Sequence, residues 1–104
     1  METYRIIIER TAQADLEEIL DYIALVLHEP RTAERIYNSL KAEILSLAEL
    51  PFRYPLLRDE AYRPLGVRRI LIENYAAFYT VDESVRTVHV IRVLYNRREW
   101  QQLL

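Results

Sequence analysis

Residues 67–94, VRRILIENYAAFYTVDESVRTVHVIRVL, hold three consecutive segments rich in β-branched and aromatic side chains. Such segments are typical of β-strands. We predict strands over Val67–Glu73, Tyr75–Val81 and Thr87–Leu94. The polar links at residues 73–74 and 82–84 favour turns, and because both are short, neighbouring strands must run antiparallel. This stretch therefore predicts a three-stranded antiparallel meander.

Upstream of the meander the apolar residues change to helical spacing. YRIIIE at residues 4–9 predicts one more strand. Apolar residues then recur three and four apart over residues 12–27 and again over residues 30–50, which predicts two amphipathic helices. Thr11 is a candidate N-cap for the first helix, and Pro51 should end the second. Two helices joined by so short a break form an antiparallel hairpin.

These elements predict an α+β fold with the order β-α-α-β-β-β and a short C-terminal helix after the last strand. We expect an antiparallel sheet packed under the helical hairpin, and one domain over residues 1–104. An irregular connection at residues 51–66, which contains three prolines, should join the hairpin to the meander. The other face of the sheet would then be left open, with the guanidinium groups of the late strands exposed on it.

Composition excludes several classes of protein. The chain has no cysteine, which excludes disulfides and thiolate catalysis and favours a cytoplasmic location. No stretch approaches the ~20 apolar residues of a membrane span, and METYRIIIER does not resemble a signal peptide, so we expect no membrane association. The net charge of −2 and a pI near 5.7 argue against a freestanding nucleic-acid binder.

Arginines on the late strands are the main candidates for recognition. The residues predicted to contact a partner or target are Arg68, Arg69, Arg92, Tyr95, Arg97 and Arg98. Alternation along a strand places Arg68 and Arg69 on opposite faces. If Ile91 and Val93 face the helices, Arg92 faces away and shares a face with one of them. Two such arginines repel unless an anion or carboxylate lies between them, which favours a binding surface unless Glu73 or Asp82 serves as that carboxylate. The paired arginines could instead form salt bridges to helix carboxylates.

The remaining special residues have simpler interpretations. His89 alternates with Ile91 and Val93, so we expect it on their face, as a satisfied core or edge histidine. Two isolated histidines do not make a metal site, and we predict neither a metal nor a cofactor. Trp100 and the two terminal leucines should dock the final helix on the core.

Several strings occur in a recognisable order. These are A-x-x-D-L-x-x-I-x-x-Y at residues 12–22, P-L ahead of G-V-R-R-I at residues 64–70, N-Y-A-A-F-Y-T-V-D at residues 74–82 and V-I-R-V-L-Y-N-R-R-E-W at residues 90–100. Together they resemble the RelE/ParE superfamily of toxins from bacterial type II toxin–antitoxin systems. The resemblance implies a small toxin, active for example in plasmid stabilisation, that a cognate antitoxin neutralises in a hetero-oligomeric complex.

The superfamily contains two activities, between which the resemblance must choose. ParE-like members act on DNA gyrase, whereas RelE-like members cut mRNA in the ribosome. RelE-type ribonucleases resemble one another in an arginine after the tyrosine that opens the middle strand, and here Tyr75 is followed by Ala76. The segment I-R-V-L-Y-N-R-R resembles the ParE-type R-V-L-H-x-R-R, with Tyr95 in place of the histidine. The resemblance therefore favours a non-enzymatic inhibitor that binds a target such as gyrase.

Two alternatives stay open. The first is a metal-independent endoribonuclease, an mRNA interferase, whose site would be built on Arg69, Arg92, Tyr95 and Arg97. The second is a degenerate toxin that only binds its antitoxin. Antitoxin identity, oligomeric state and cleavage specificity are not encoded in any motif that we find.

Overall fold

The structure, a computed structural model, describes residues 3–96, 100 and 103–104. In these residues the predicted order of elements is confirmed. The strands are β1 (Arg5–Ile8), β2 (Arg68–Ile72), β3 (Tyr75–Asp82) and β4 (Thr87–Tyr95), and the helices are α1 (Arg10–Asp21) and α2 (Pro30–Ser46). None of the helices in the described part of the chain is both long and apolar enough to cross a membrane.

The sheet has the order β1-β4-β3-β2. The antiparallel meander of β2, β3 and β4 is as predicted, but the expectation of a wholly antiparallel sheet is wrong for β1, which lies parallel to β4. The reason is that α2 returns the chain to the starting end of β1, where the Tyr4 amide donates to the Ala48 carbonyl at 2.8 Å. β2 also starts from that end of the sheet. The chain then reverses twice, so β4 runs in the same direction as β2 and β1.

The helix boundaries differ from the predicted ones in three places. α1 begins at Arg10 with Glu9 as its N-cap residue, so the prediction of Thr11 as N-cap is wrong. The predicted end of the first helix is a π-helix, Tyr22–Val26. α2 ends at Ser46, before Leu50, which adopts a left-handed φ of 54° and turns the chain toward the sheet.

One face of the sheet packs on the helical hairpin, as predicted. This first core joins apolar side chains of α2 and the π-helix to those of the sheet: Ile23, Ile36, Leu40, Ile44, Leu47, Ile70, Ile72, Ala77, Tyr79, Val88, Val90 and Val93. Tyr79 is fully buried, and its hydroxyl donates to the Pro51 carbonyl at 2.7 Å. That bond fixes the start of the connecting segment beneath the sheet.

The opposite face carries a second core, so the prediction of an open face is wrong. Its buried residues are Leu57, Val67, Ala76, Phe78 and Leu94, and the partly buried residues against them are Tyr62, Ile91, Trp100, Leu103 and Leu104. β3 is apolar on both faces, and apolar surface on the second face drives the connecting segment and the tail onto it. The docking of Trp100 is thus confirmed, whereas the short C-terminal helix falls largely on residues 97–99 and 101–102, outside the described residues.

A β-bulge interrupts the alternation of β4. Phe78 pairs with Arg92 but Tyr79 pairs with Val90, so Ile91 is an extra residue. Val90 and Val93 therefore both face the first core although they are three residues apart. The expectation that His89 shares a face with Val93 is consequently wrong.

Candidate functional site

The free edge of β4 is completed by side chains of α1. β1 pairs only with residues 87–90 of β4. Beyond them, the Thr11 hydroxyl donates to the Ile91 carbonyl at 2.8 Å, and the Val93 amide donates to the Asp15 carboxylate at 3.0 Å. Thr11 and Asp15 are four residues apart and so lie on the same side of the helix. The first turns of α1 thus take over the pairing that β1 leaves unfinished.

Arg92 is held in this same arrangement. Its Nε and Nη2 donate to Oδ2 and Oδ1 of Asp15 at 2.7 and 2.8 Å, and its Nη1 donates to the Leu103 carbonyl. The Asp15 hydrogen bonds raise the pKa of Arg92. The two side chains are only 23% and 10% exposed. Arg92 is therefore a clamp between α1, β4 and the tail. Its carboxylate partner is Asp15, and not Glu73 or Asp82, which the sequence offered as alternatives.

Arg69 lies in the same row of the sheet as Arg92. Phe78 pairs with Arg69 on one side and with Arg92 on the other, so the three side chains share the second face. The expectation that one of the paired arginines shares a face with Arg92 is confirmed. The Arg69 guanidinium lies over the Trp100 ring, 5.7 Å from its centroid. No carboxylate of the described residues forms an ion pair with Arg69. The Arg69 end of the row therefore lacks the acidic partner that Asp15 provides at the Arg92 end.

Arg69 lines a broad concavity that we call the Arg69 basin. It has a volume of about 890 Å³ and is formed by residues 54–59, Arg69, Leu71 and Trp100. Leu71 is 56% exposed at the edge of the sheet. The basin therefore combines an apolar floor, an aromatic wall and a cation.

Arg68 points to the other face, as alternation predicts. It pairs with Tyr79, whose side chain is in the first core. Its Nη1 donates to the carbonyls of Tyr54 at 2.5 Å and Phe52 at 3.2 Å, and its guanidinium lies 5.1 Å from the Phe52 ring centroid. These contacts hold the connecting segment in place, so Arg68 has a structural role in the described chain.

Tyr95 belongs to a different surface. It packs against Tyr75 with ring centroids 5.9 Å apart, and burial raises the pKa of Tyr75. Both rings line a groove of about 540 Å³ with apolar side chains of the hairpin tip and β4. We call this groove the seam; its lining residues are Asp15, Glu18, Ile19, Tyr22, Leu27, Tyr75, Val93, Leu94 and Tyr95.

The hairpin tip beside the seam exposes apolar side chains that the sequence analysis did not single out. Tyr22, Leu25, Val26 and Leu27 are each at least half exposed. The signal was present, because L-V-L at residues 25–27 is too continuous for the buried stripe of one amphipathic helix. The π-helix that carries most of them is a form often found at functional sites.

Among the predicted nuclease residues that the structure describes, no two line the same concavity. Arg69 lines the basin, Tyr95 lines the seam, and Arg92 is paired with Asp15. Arg97 and Arg98 lie outside the described residues. Within those residues, no group of three or more His, Asp or Glu side chains could hold a metal ion. His89 is instead paired with Glu9, its Nδ1 lying 2.7 Å from the carboxylate, as a satisfied edge histidine.

Comparison with known proteins places this geometry in a family. Residues 6–100 match the model described as ParE toxin of type II toxin-antitoxin system, parDE. No sequence among the curated proteins matches the chain.

Solved structures that share the fold include three from toxin–antitoxin systems. A chromosomal ParDE TA system from P. aeruginosa is 20% identical with a TM-score of 0.70, covering 91% of this chain and 98% of that one. The toxin–antitoxin complex RelBE2 from Mycobacterium tuberculosis is 23% identical with a TM-score of 0.62, covering 89% and 98%. An archaeal RelE–RelB complex from Pyrococcus horikoshii OT3 is 15% identical with a TM-score of 0.57, covering 92% and 98%.

Proposed function

Because this chain belongs to the ParE toxin family of type II toxin–antitoxin systems, we propose that it inhibits growth by binding a target such as DNA gyrase and is neutralised by a cognate antitoxin. The toxin would act in the cytoplasm, where it would contribute to plasmid stabilisation. It would work by protein contact and would not cut RNA.

The pairing of Arg92 is the observation that carries this proposal. Cleavage of RNA requires a base for the 2′-hydroxyl, a donor to the leaving oxygen and cations on one phosphate. Arg92 donates three hydrogen bonds inside the protein. Arg69 and Tyr95 open into separate concavities. Of the proposed nuclease residues that the structure describes, therefore, none converges with another on a single phosphate.

The seam supports recognition by protein contact. Contiguous exposed apolar surface is characteristic of protein-binding sites, and tyrosines such as Tyr22 and Tyr95 are enriched among the residues that dominate binding energy. The three solved structures compared above come from toxin–antitoxin systems. We propose that a segment of the antitoxin folds onto the seam and the hairpin tip.

The decisive experiment is induced expression without the antitoxin gene. A DNA damage response, together with loss of supercoiling by gyrase in the presence of the purified toxin, is the expected result. Cuts in messages near the ribosomal A site would contradict it and favour the second candidate, an mRNA endonuclease, which the shared fold with RelBE2 and RelE keeps in view. Normal growth with intact antitoxin binding would identify a degenerate toxin.

A matched pair of variants tests the seam. Leu27→Asp places a charge at the hairpin tip, and Val85→Asp makes the same change at the β3–β4 turn, where Val85 is 65% exposed. Affinity for the antitoxin, measured by calorimetry, should fall by about tenfold or more for Leu27→Asp, since a charge is buried at the interface. Equal affinities of the two variants would exclude the seam as the antitoxin surface.

A further inference from the structure

Arg69 is the strand arginine with an available guanidinium. Arg68 donates to two backbone carbonyls and Arg92 to Asp15 and Leu103. Arg69 lies over the Trp100 ring and forms no ion pair with a carboxylate of the described residues. A partly buried cation without a carboxylate has lost hydration without recovering it. Such a group binds an incoming carboxylate more favourably than a solvated arginine does.

Trp100 holds this guanidinium ready for a ligand. The indole packs on Phe78 and Tyr62, with ring centroids 5.2 and 6.2 Å apart. Because the ring is held from two sides, the arginine stacked on it has fewer rotamers to lose when it binds. The planar guanidinium can then accept a carboxylate in a two-pronged geometry.

The shape of the basin matches an extended chain. β2 is the last strand of the sheet, and among the described residues the one β-bridge to its free edge joins Leu56 to Arg68. The edge is therefore open at Leu71, which pairs with Ala76 of the second core and so faces the basin. An added strand would place an apolar side chain on Leu71 and, two residues along on the same face, a carboxylate near Arg69.

We propose that the Arg69 basin binds an extended, acidic segment of the antitoxin, with a carboxylate on Arg69 and an apolar side chain on Leu71. This inference rests on the antitoxin partner of the proposed function. It adds a second contact surface, which shares no lining residue with the seam. Arg58 adds a second cation at the rim of the basin. With two arginines and one aspartate in its lining, the basin has fewer cations than the many that binding of a polyphosphate such as RNA requires.

The single tryptophan of the chain makes the basin directly observable. The full-length toxin is titrated with the pentapeptide Thr-Leu-Thr-Glu-Thr, whose leucine and glutamate are two residues apart and so share one face of a strand, and with the matched pentapeptide Thr-Leu-Thr-Gln-Thr. The acidic peptide should change Trp100 fluorescence with saturation, and the amide peptide should bind about tenfold more weakly or worse. Equal binding of the two peptides would overturn the proposal.

Three variants locate the site. Arg69→Gln should weaken binding of the acidic peptide by about tenfold or more, since it removes a charge-assisted pair. Leu71→Glu, at an exposed position that tolerates a polar side chain, should also weaken it by adding a like charge. Arg31→Gln, an exposed arginine of α2, is the matched control and should bind as the wild type does. Unchanged affinity in both basin variants would overturn the proposal.

A single-stranded RNA decamer tests the competing ligand. If the decamer binds in an Arg69-dependent way and the acidic peptide does not bind, the basin is a nucleic-acid site and the proposal is wrong. No step of this titration involves gyrase, the ribosome or growth. A toxin that fails to inhibit gyrase can therefore still confirm the basin, and a toxin that inhibits gyrase can still refute it.

Discussion

Arg69 and Arg92 flank Phe78 in one row of the sheet, yet their surroundings are opposite. At the β4 end of the row, α1 crosses the edge and provides Asp15, so the guanidinium is neutralised and enclosed. At the β2 end the guanidinium meets the indole of Trp100 and no carboxylate of the described residues. Arginine thus occupies equivalent positions at both ends of the row. It has a structural role where α1 crosses the sheet edge, and it is available to a ligand where no carboxylate of the described residues reaches it.

Asp15→Ala should reduce stability more than the other variants, because it removes the carboxylate that pairs with Arg92. A partly buried guanidinium and the Val93 amide would both lose their acceptor. The free energy of unfolding should fall by about 3–5 kcal/mol, as for removal of one partner from a buried pair. Urea denaturation measures it. Glu17→Ala, at an exposed position of the same helix, is the control, and an equal loss in both variants would refute the clamp.

Tyr79, in the first core on the other face of the sheet, is a buried side chain without a charge. Its contribution to stability should depend on pH. Burial raises the pKa of Tyr79 to about 12 from an ordinary value of 10.0. The folded state therefore keeps a proton that the unfolded chain loses, so stability is full below pH 10 and falls as pH rises toward 12. Two pKa units correspond to about 3 kcal/mol. Tyr79→Phe should remove this part of the alkaline loss in denaturation curves at pH 9 and 11, and an unchanged slope would count against it.

Arg69→Gln should sharpen the comparison by doing little to the fold. The lost contact with Trp100 is worth about 0.5–1 kcal/mol, well below the effect at Asp15. Urea denaturation beside Asp15→Ala tests this difference. A loss as large as that of Asp15→Ala would mean that the open end of the row is as structural as the closed one.

Glu73 should show the smallest effect, because its ion pair is exposed. Glu73 is in the turn between β2 and β3, and its Oε1 lies 2.6 Å from Nη1 of Arg35. Hydrogen bonds from Arg35 and Ser39 lower the pKa of Glu73 below the ordinary 4.5. The stabilisation is present above pH 4.5 and is lost as pH falls. Glu73→Gln should lower the melting temperature slightly at pH 7 and not at pH 3. A deficit that persists at pH 3 would point to the turn itself.

The fold was largely predictable from sequence because its elements have distinct periods. The four strands follow from short runs of β-branched and aromatic residues, and both helices follow from apolar residues three and four apart. The bulge at Ile91 was not predictable, since its cause is the pairing with Phe78 and Tyr79. The role of Thr11 was also hidden, because its acceptor is 80 residues away in sequence.

The site was predictable only in part. Alternation correctly separated Arg68 from Arg69, since faces of a strand are a local property. The partner of Arg92 was not readable, because Asp15 is 77 residues away and reaches it only through the packing of α1 on β4. The second core was missed because the apolar residues of the connecting segment gave no indication of which face they would cover.

The parallel pairing of β1 with β4 also affects how the chain folds as it is synthesised. β1 and the helical hairpin leave the ribosome early, but Arg5 has no partner strand until Thr87 has been translated. Contacts of such long sequence separation form slowly and late. The edge of β4 that α1 completes, and the row between Arg69 and Arg92, cannot exist on a partial chain. A nascent toxin therefore acquires the seam and the Arg69 basin only when translation of the domain is nearly finished.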